Sequence, residues 1–316
     1  MNQLIMKNKH LFFSLLIAIL IFSCNKDDDA GTTQPEQQAL KLTKVNNGLD
    51  ITEISYSNQN KPETITYENT FKNLILNNDG KLIEFGDNTY SYDASGKLET
   101  MTNTNGSTCN FTYNSQGLIV RQNIITNQQV SSANTDLTIQ RIYLYDNLDR
   151  IISCTETSNQ PGSSIKKFNL TYNSDGELVK VVDVYSNDNG TTYIVNQTVE
   201  LAYDSQKNPE KLFYDSLQPN STSFITTFVF GISSQSDPIR LTLGFFFPLY
   251  YLPTHNVLNS KITFTNTFGE NIINETYSYQ YDGDYPITGE RALIRTLDGQ
   301  MQSNFTFQLF WEYITD

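Results

Sequence analysis

The stretch Tyr90-Ser91-Tyr92-Asp93-Ala94-Ser95-Gly96-Lys97-Leu98 constrains this chain most, because it encodes a whole β-hairpin turn and recurs along the sequence. Tyr90 and Tyr92 stand at i and i+2 and therefore share one face of a strand. Asp93 suits the first position of a type I turn, where its carboxylate reaches nearby backbone N–H groups. Gly96 suits the left-handed position that closes such a turn. A type I turn closed by a left-handed Gly is a three-residue hairpin loop of the G1-bulge kind. In that geometry Asp93 lies across from Lys97 as an opposite-charge pair and Tyr92 lies across from Leu98, each pair contributing roughly 0.2–1 kcal/mol.

Counted from the residue before the turn, copies begin at Tyr56, Leu76, Tyr92, Tyr113, Tyr145, Tyr172, Tyr203 and Tyr281. The left-handed position holds Gly80, Gly96, Gly117 and Gly176, with Asn60, Asp149 and Lys207 in three others; the Tyr281 copy is one residue shorter. Two residues before the key position the chain is apolar (Ile54, Leu74, Phe111, Leu170), and the residue between is often small or polar (Ser55, Thr112, Thr171). That is the alternation of antiparallel strands with one buried face. One hairpin alone is marginal in water, and successive hairpins pair with their neighbours. The expected fold is all-β: an up-and-down antiparallel meander of roughly fourteen to eighteen strands, strongly curved or closed into a soluble barrel. Closure would remove its edges.

The ends are organised differently. Residues 1–23 carry Lys7 and Lys9 and then the run Leu11 to Phe22, apolar except for Ser14. The run is too short for a standard membrane span and reads as a secretory signal peptide. It ends in Leu20-Ile21-Phe22-Ser23-Cys24, which resembles a bacterial lipoprotein signal. That resemblance implies cleavage before Cys24 and acyl chains on the new terminus, two or more of which anchor stably. The following Lys26-Asp27-Asp28-Asp29 resembles the tether after the lipid-bearing Cys in surface-exposed lipoproteins of Bacteroidetes-type bacteria, and so implies an outer-membrane protein facing the cell exterior. Residues 24–38 are then lipidated Cys and flexible acidic tether, and residues 39–316 a single hairpin-repeat domain. The hairpins themselves resemble the YD repeats of bacterial cell-surface proteins. With the lipoprotein start and Tyr277-Ser278-Tyr279-Gln280-Tyr281-Asp282-Gly283-Asp284-Tyr285-Pro286, the chain is similar to Bacteroidetes lipoproteins carrying a domain of unknown function with a porin-like curved β-sheet. The resemblance implies a fold and a location, and it carries no functional residues.

Little chemistry is written in motifs. The formal charge of -13 repels nucleic acid and anionic head groups, so no nucleic-acid partner is expected. Beyond the signal, His255 is the one histidine, which rules out zinc held by two His. A Ser-His-acid site would need His255, yet no Gly-x-Ser-x-Gly elbow is present. There is no phosphate-cradling loop or dinucleotide fingerprint, and Asn77 to Gly80 and Asp282 to Asp284 are only fragments of calcium loops. No cofactor or metal is expected. Cys109 and Cys154 lie three strands apart in a meander, about 14 Å at the usual strand spacing, beyond disulfide reach. A transmembrane barrel would satisfy the alternation too, but the aromatics gather beside turns instead of forming a continuous band.

The repeat fails between the seventh and eighth copies, where the spacing jumps to 78 residues. Inside lies the apolar run Leu241 to Pro253, in which Pro248 and Pro253 rule out a regular central strand. It reads as an aromatic cap over the sheet, or as an exposed platform for a sugar, peptide or partner protein built on Tyr250, Tyr251 and Phe246. The leading expectation is a lipid-anchored, non-enzymatic surface protein that binds or displays glycan, peptide or an envelope partner. The alternatives are an extracellular hydrolase using a carboxylate pair and a scaffold or shell of the YD-repeat type.

Overall fold

The first six hairpin turns use their Asp, Asn or Ser as expected. Asp93 Oδ1 accepts the N–H groups of Ser95 and Lys97, both at 2.9 Å. Asn77, Asn114, Asp146 and Asn173 repeat the pattern two and four residues on. The left-handed position is occupied at positive φ by Gly96 (82°), and by Asn60 (63°) and Asp149 (58°) where Gly is missing. The computed structural model describes residues 40–46, 51–67, 70–130, 135–211, 213, 224–226, 249–251, 253–266 and 269–315.

The strands run in chain order. The short ones are β1 (Leu40–Asn46), β2 (Ile51–Tyr56), β3 (Pro62–Tyr67), β4 (Thr70–Leu76), β5 (Leu82–Phe85), β6 (Asn88–Tyr92), β7 (Leu98–Asn103) and β8 (Thr108–Tyr113). Longer ones follow: β9 (Ile119–Val130), β10 (Thr135–Tyr145), β11 (Ile151–Ser158), β12 (Ile165–Tyr172), β13 (Leu178–Ser186) and β14 (Ile194–Lys207). Next come the brief β15 (Phe224–Thr226) and β16 (Leu249–Tyr251), then β17 (His255–Asn266), β18 (Gly269–Asp282), β19 (Tyr285–Leu297) and β20 (Gln300–Thr315). All but β15 and β16 pair with their chain neighbours, β14 pairs with β17, and β20 pairs with β1. The result is an 18-stranded antiparallel meander closed into a barrel, within the unit Leu40–Asp316. Outside the ring, β15 and β16 form a two-stranded sheet with Phe224 opposite Tyr251.

Closure reveals a ninth unit that is split between the two ends of the barrel. Tyr313 on β20 pairs with Leu42 on β1, as Tyr92 pairs with Leu98. In every unit one extra residue follows the aliphatic partner and kinks the strand, as Glu99 does after Leu98 and Thr43 after Leu42. This kink comes in addition to the turn expected at the Gly, where Gly96 N–H reaches Asp93 O at 2.9 Å and Asp93 N–H reaches Lys97 O at 2.8 Å, and it lies three residues further on. Nine such kinks at one end give the ring its curvature.

The tyrosines fasten each unit to the one before. The hydroxyls of Tyr56, Tyr92, Tyr113, Tyr145, Tyr172, Tyr203, Tyr279 and Tyr313 donate to the carbonyls of Leu42, Leu82, Leu98, Ile119, Ile151, Leu178, Val257 and Pro286, at 2.6–2.8 Å. Only the second unit, with Leu76, lacks its hydroxyl. Each rung contributes about 0.5–1.5 kcal/mol. In the eighth unit Tyr279 makes the rung in place of the expected Tyr281, whose hydroxyl goes to Asp204. The lysine of a turn covers the next tyrosine: Lys81 lies over the Tyr92 ring at 5.2 Å and Lys97 over the Tyr113 ring at 5.3 Å. The Lys97 ammonium thus serves the next hairpin, while Asp93 takes the Lys97 N–H.

Inside the tyrosine tier the inward side chains form one apolar cluster, including Leu42, Ile65, Leu82, Phe85, Met101 and Val199, so the lumen is filled at this level. Cys109 and Cys154 belong to it as buried free thiols. Further along the long strands the inward face turns polar. Arg141 pairs with Glu156 at 2.9 Å, Arg291 with Glu275, and Asn196 donates to Asp183 at 2.6 Å. The outward face of adjacent strands carries Glu200, Ala202, Asn259, Lys261, Thr276 and Ser278, all exposed, with Glu200 directly opposite Lys261.

Candidate functional site

The seventh unit departs from the repeat. Tyr203 pairs with Val257, not with Pro209, the partner expected from sequence. Asp204 still plays the turn acid: its Oδ1 accepts Gln206 N–H at 2.9 Å and Asn256 N–H at 3.1 Å, as Asp93 serves Ser95 and Lys97. Residues 207–255 are therefore an insertion placed inside one turn.

Its neck is closed by several bonds. Asn208 donates its backbone N–H to Thr254 O at 2.9 Å and its amide to Pro253 O at 3.1 Å. Lys207 pairs with Asp284 at 2.7 Å. Asn208 also begins a helical turn: its Oδ1 accepts Glu210 N–H at 3.0 Å, and Pro209 occupies the first helical position. That turn buries Phe213 completely and Glu210 nearly so. Burial pushes the Glu210 carboxyl well above the usual carboxylate range. The cap expected of Leu241 to Pro253 lies largely outside the described residues.

A third fastening comes from the sixth turn. Glu177 Oε1 accepts Thr254 N–H at 3.0 Å and His255 N–H at 3.2 Å, and stands 2.9 Å from His255 Nδ1. In the other turns this position holds Lys61, Lys81, Lys97, Leu118 and Arg150. The Arg150 guanidinium covers the Tyr172 ring at 4.7 Å. Glu177 is 3 % exposed and reaches the insertion instead. The sequence signal was present: one acid in a column of four cations and a leucine, two residues from a second acid, Asp175.

Between the sixth turn and the neck opens a cleft of about 490 Å³, lined by Asn173, Asp175, Glu177, Tyr203, Asp204 and His255 among others. Glu177 holds His255 by Nδ1 at the wall of this cleft. Asp204 Oδ2 takes the Tyr281 hydroxyl and the Asn256 amide, so this wall is tied across to β18. Desolvation and Asp204 together raise the Tyr281 phenol and keep it protonated. Among the described residues no group of three His, Cys, Asp or Glu is placed to hold a metal ion.

The other residues singled out from sequence are placed as follows. Cys24, Lys26, Asp27, Asp28, Asp29 and Phe246 lie outside the described residues. Tyr250 and Tyr251 belong to β16, opposite Ile225 and Phe224, with their side chains outside the described set. The structure brings His255 into the cleft, where sequence reading gave it no partner.

Several known proteins are similar to this chain. The Teneurin YD-shell family profile matches residues 36–131, the part with the most regular turns. A porin-like protein from Bacteroides uniformis is similar at 14% identity with a TM-score of 0.43, covering 88% of this chain and 98% of that one. A porin-like protein from Bacteroides vulgatus is similar at 12% identity with a TM-score of 0.42, covering 87% and 99%. The TcdB2-TccC3 structure without its hypervariable C-terminal region is similar at 11% identity and a TM-score of 0.30, over 83% of this chain and 15% of that one. No curated protein matches in sequence. The chain is thus similar over residues 36–131 to the YD-shell profile and over most of its length to the two Bacteroides porin-like proteins.

Proposed function

We propose that the chain is a lipid-anchored protein of the outer cell surface that binds a glycan in the cleft at the neck of its insertion, without chemistry of its own. The cleft carries this reading. It sets the Asp175 carboxylate beside the Tyr203 ring and His255, a mixture of aromatic body and polar groups suited to a ligand rich in hydroxyls. Glu177 and Asp204 spend their oxygens on Thr254, His255, Gln206, Asn256 and Tyr281. They fix the walls in advance, which lowers the entropic cost of binding.

The barrel's exterior supports attachment through the amino terminus. Lys180 and Lys261 flank Glu200 on three adjacent strands of the outer face, and a Lys facing lipid costs about 2–4 kcal/mol at the bilayer midplane. A membrane-bound form then relies on Cys24 and the tether Lys26 to Asp29. Labelled palmitate is expected in the wild-type chain and absent from Cys24→Ala, which should leave the membrane fraction. Retention of Cys24→Ala on membranes would sink the anchor.

Binding is tested by a glycan and peptide array probed with residues 39–316. Glycan signals should disappear in His255→Ala and in Glu177→Gln. Loss confined to Tyr250→Ala and Tyr251→Ala would move the site outward onto the insertion. Signals indifferent to all four changes, or no signals, would overturn the reading. A hydrolase is the second reading, favoured by Asp175 and Asp204 sharing one cleft; time-dependent cleavage of an array ligand that Asp175→Asn abolishes would replace binding by catalysis.

A further inference from the structure

The barrel's long strands outreach its short ones, and β20 carries the consequence. β19 covers β20 from Gln300 to Phe310 on one side. On the other side β1 covers only Phe310 to Thr315. Among the described residues, no strand pairs with the second edge of β20 from Gln300 to Leu309. The stretch is exposed where it projects: Met301 is 65% and Phe305 54% exposed.

Natural sheets blunt such edges with lysine, proline, bulges or brevity. Here a bulge at Gln302 interrupts the pairing with β19 near the tip, but the regular stretch Ser303-Asn304-Phe305-Thr306-Phe307-Gln308-Leu309 contains no charged residue, no Pro and no Gly. An open edge of this length and composition is a template for strand addition. The surrounding chain is acidic, yet the edge offers nothing for a charged partner to grip. Its pattern is instead complementary to itself. In an antiparallel pair, opposed residues share a face. With a two-fold axis through Phe305, Phe305 meets Phe305 of the second copy and Phe307 meets Ser303 on the inward face. On the outward face Thr306 meets Asn304. Every opposition is apolar, aromatic or neutral polar, and an aromatic pair sits at the centre. Phe305 and Phe307 already lie side by side along the strand, their rings tilted by 32° with 6.2 Å between centroids.

We propose that this edge is the dimer interface of the protein, occupied by β20 of a second copy in antiparallel register centred on Phe305. A two-fold contact of this kind is closed and does not propagate into a fibre. The interface lies apart from the cleft and stands whether or not that cleft binds a glycan.

Sedimentation equilibrium of the chain from residue 25 onward, which keeps every strand of the barrel, is expected to give twice the monomer mass. Phe305→Lys puts two like charges opposite each other at the centre and should weaken association by about tenfold or more. Because Phe305 is exposed, circular dichroism and melting should not change. Phe305→Cys should form an intermolecular disulfide with itself under mild oxidation, while Ser303→Cys should cross-link only when mixed with Phe307→Cys. A monomer at all concentrations, a Phe305→Lys dimer as tight as the wild type, self-cross-linking of Ser303→Cys, or species larger than the dimer would each overturn the proposal.

Discussion

Replacing Arg291 by Leu will destabilise the barrel by about 3–5 kcal/mol, the cost of leaving one member of a buried ion pair uncompensated. Arg291 stands on β19 with its guanidinium bonded to Glu275 Oε1 on β18, and both side chains are enclosed, at 15% and 6% exposure. Glu275 Oε2 takes the Tyr277 hydroxyl at 2.9 Å, so the carboxylate is fixed in place and cannot turn to water. The guanidinium also lies 5.5 Å from the centre of the Phe307 ring. Without Arg291 the carboxylate must stay charged in a dry setting or take up a proton, and either costs stability. The measurement is the denaturant midpoint, which should fall while the slope stays constant. The double change Arg291→Leu with Glu275→Leu should recover most of the loss, because it removes both desolvated charges. If the double variant is as unstable as the single one, the loss is one of packing and the ion pair is not its cause.

The hairpins were legible because each is local. Asp93, Gly96, Tyr92 and Leu98 lie within seven residues, and turn chemistry needs no distant partner. Strand number and antiparallel order followed from repetition. What escaped was everything that closes at long range. The ninth unit joins Tyr313 to Leu42, residues at opposite ends of the barrel that no local pattern links. The tyrosine hydroxyls were read as an aromatic face, since i and i+2 spacing shows where a ring points and not where its OH ends. Their targets are the carbonyls of the previous unit, so the preference for Tyr over Phe has its reason in the ring of units as a whole.

The candidate site was half legible for the same reason. The jump in spacing marked where the repeat fails, and the insertion is there. The seventh turn looked like a poor hairpin with Lys207 at the Gly position. In fact the turn is intact around Asp204, and the residue that completes it, Asn256, comes 52 positions later. Glu177 was passed over because it was read as part of a good turn. Its meaning appears only against Lys81, Lys97 and Arg150, which reach forward to the next tyrosine where Glu177 reaches the neck. A repeat therefore displays function as a local exception in charge. Aromatic content pointed elsewhere, to Tyr250 and Tyr251, since apolar residues in a long insertion serve a cap as readily as a platform.

The same ladder makes the barrel sensitive to alkali, and cooperative unfolding is expected between about pH 10 and 12. Desolvation raises the phenols of Tyr56, Tyr113, Tyr145, Tyr172, Tyr203, Tyr279 and Tyr313 above their ordinary value and pushes Tyr92 up to about 12. In the unfolded chain these groups lose their protons near pH 10, while the folded ladder keeps them. Above that point the unfolded state binds fewer protons than the native one, so stability falls as pH rises; below it the contribution is fully present. The most enclosed rungs, Tyr172, Tyr203, Tyr279 and Tyr313, each add up to about 1.4 kcal/mol per pH unit, or roughly 5 kcal/mol together. The more exposed Tyr92 and Tyr113 add less, since solvent screens them. That slope removes an ordinary stability of about 5–15 kcal/mol within one to three pH units. Phenolate absorbance at 295 nm should therefore rise in step with the loss of near-ultraviolet circular dichroism. A Tyr203→Phe, Tyr279→Phe double variant should be less stable at neutral pH, by about 1–3 kcal/mol for two lost hydrogen bonds, yet show a shallower alkaline decline. Phenolate signal from the ladder appearing before any loss of structure would show that the hydroxyls are not held by their carbonyls, and the account of the rungs would fail.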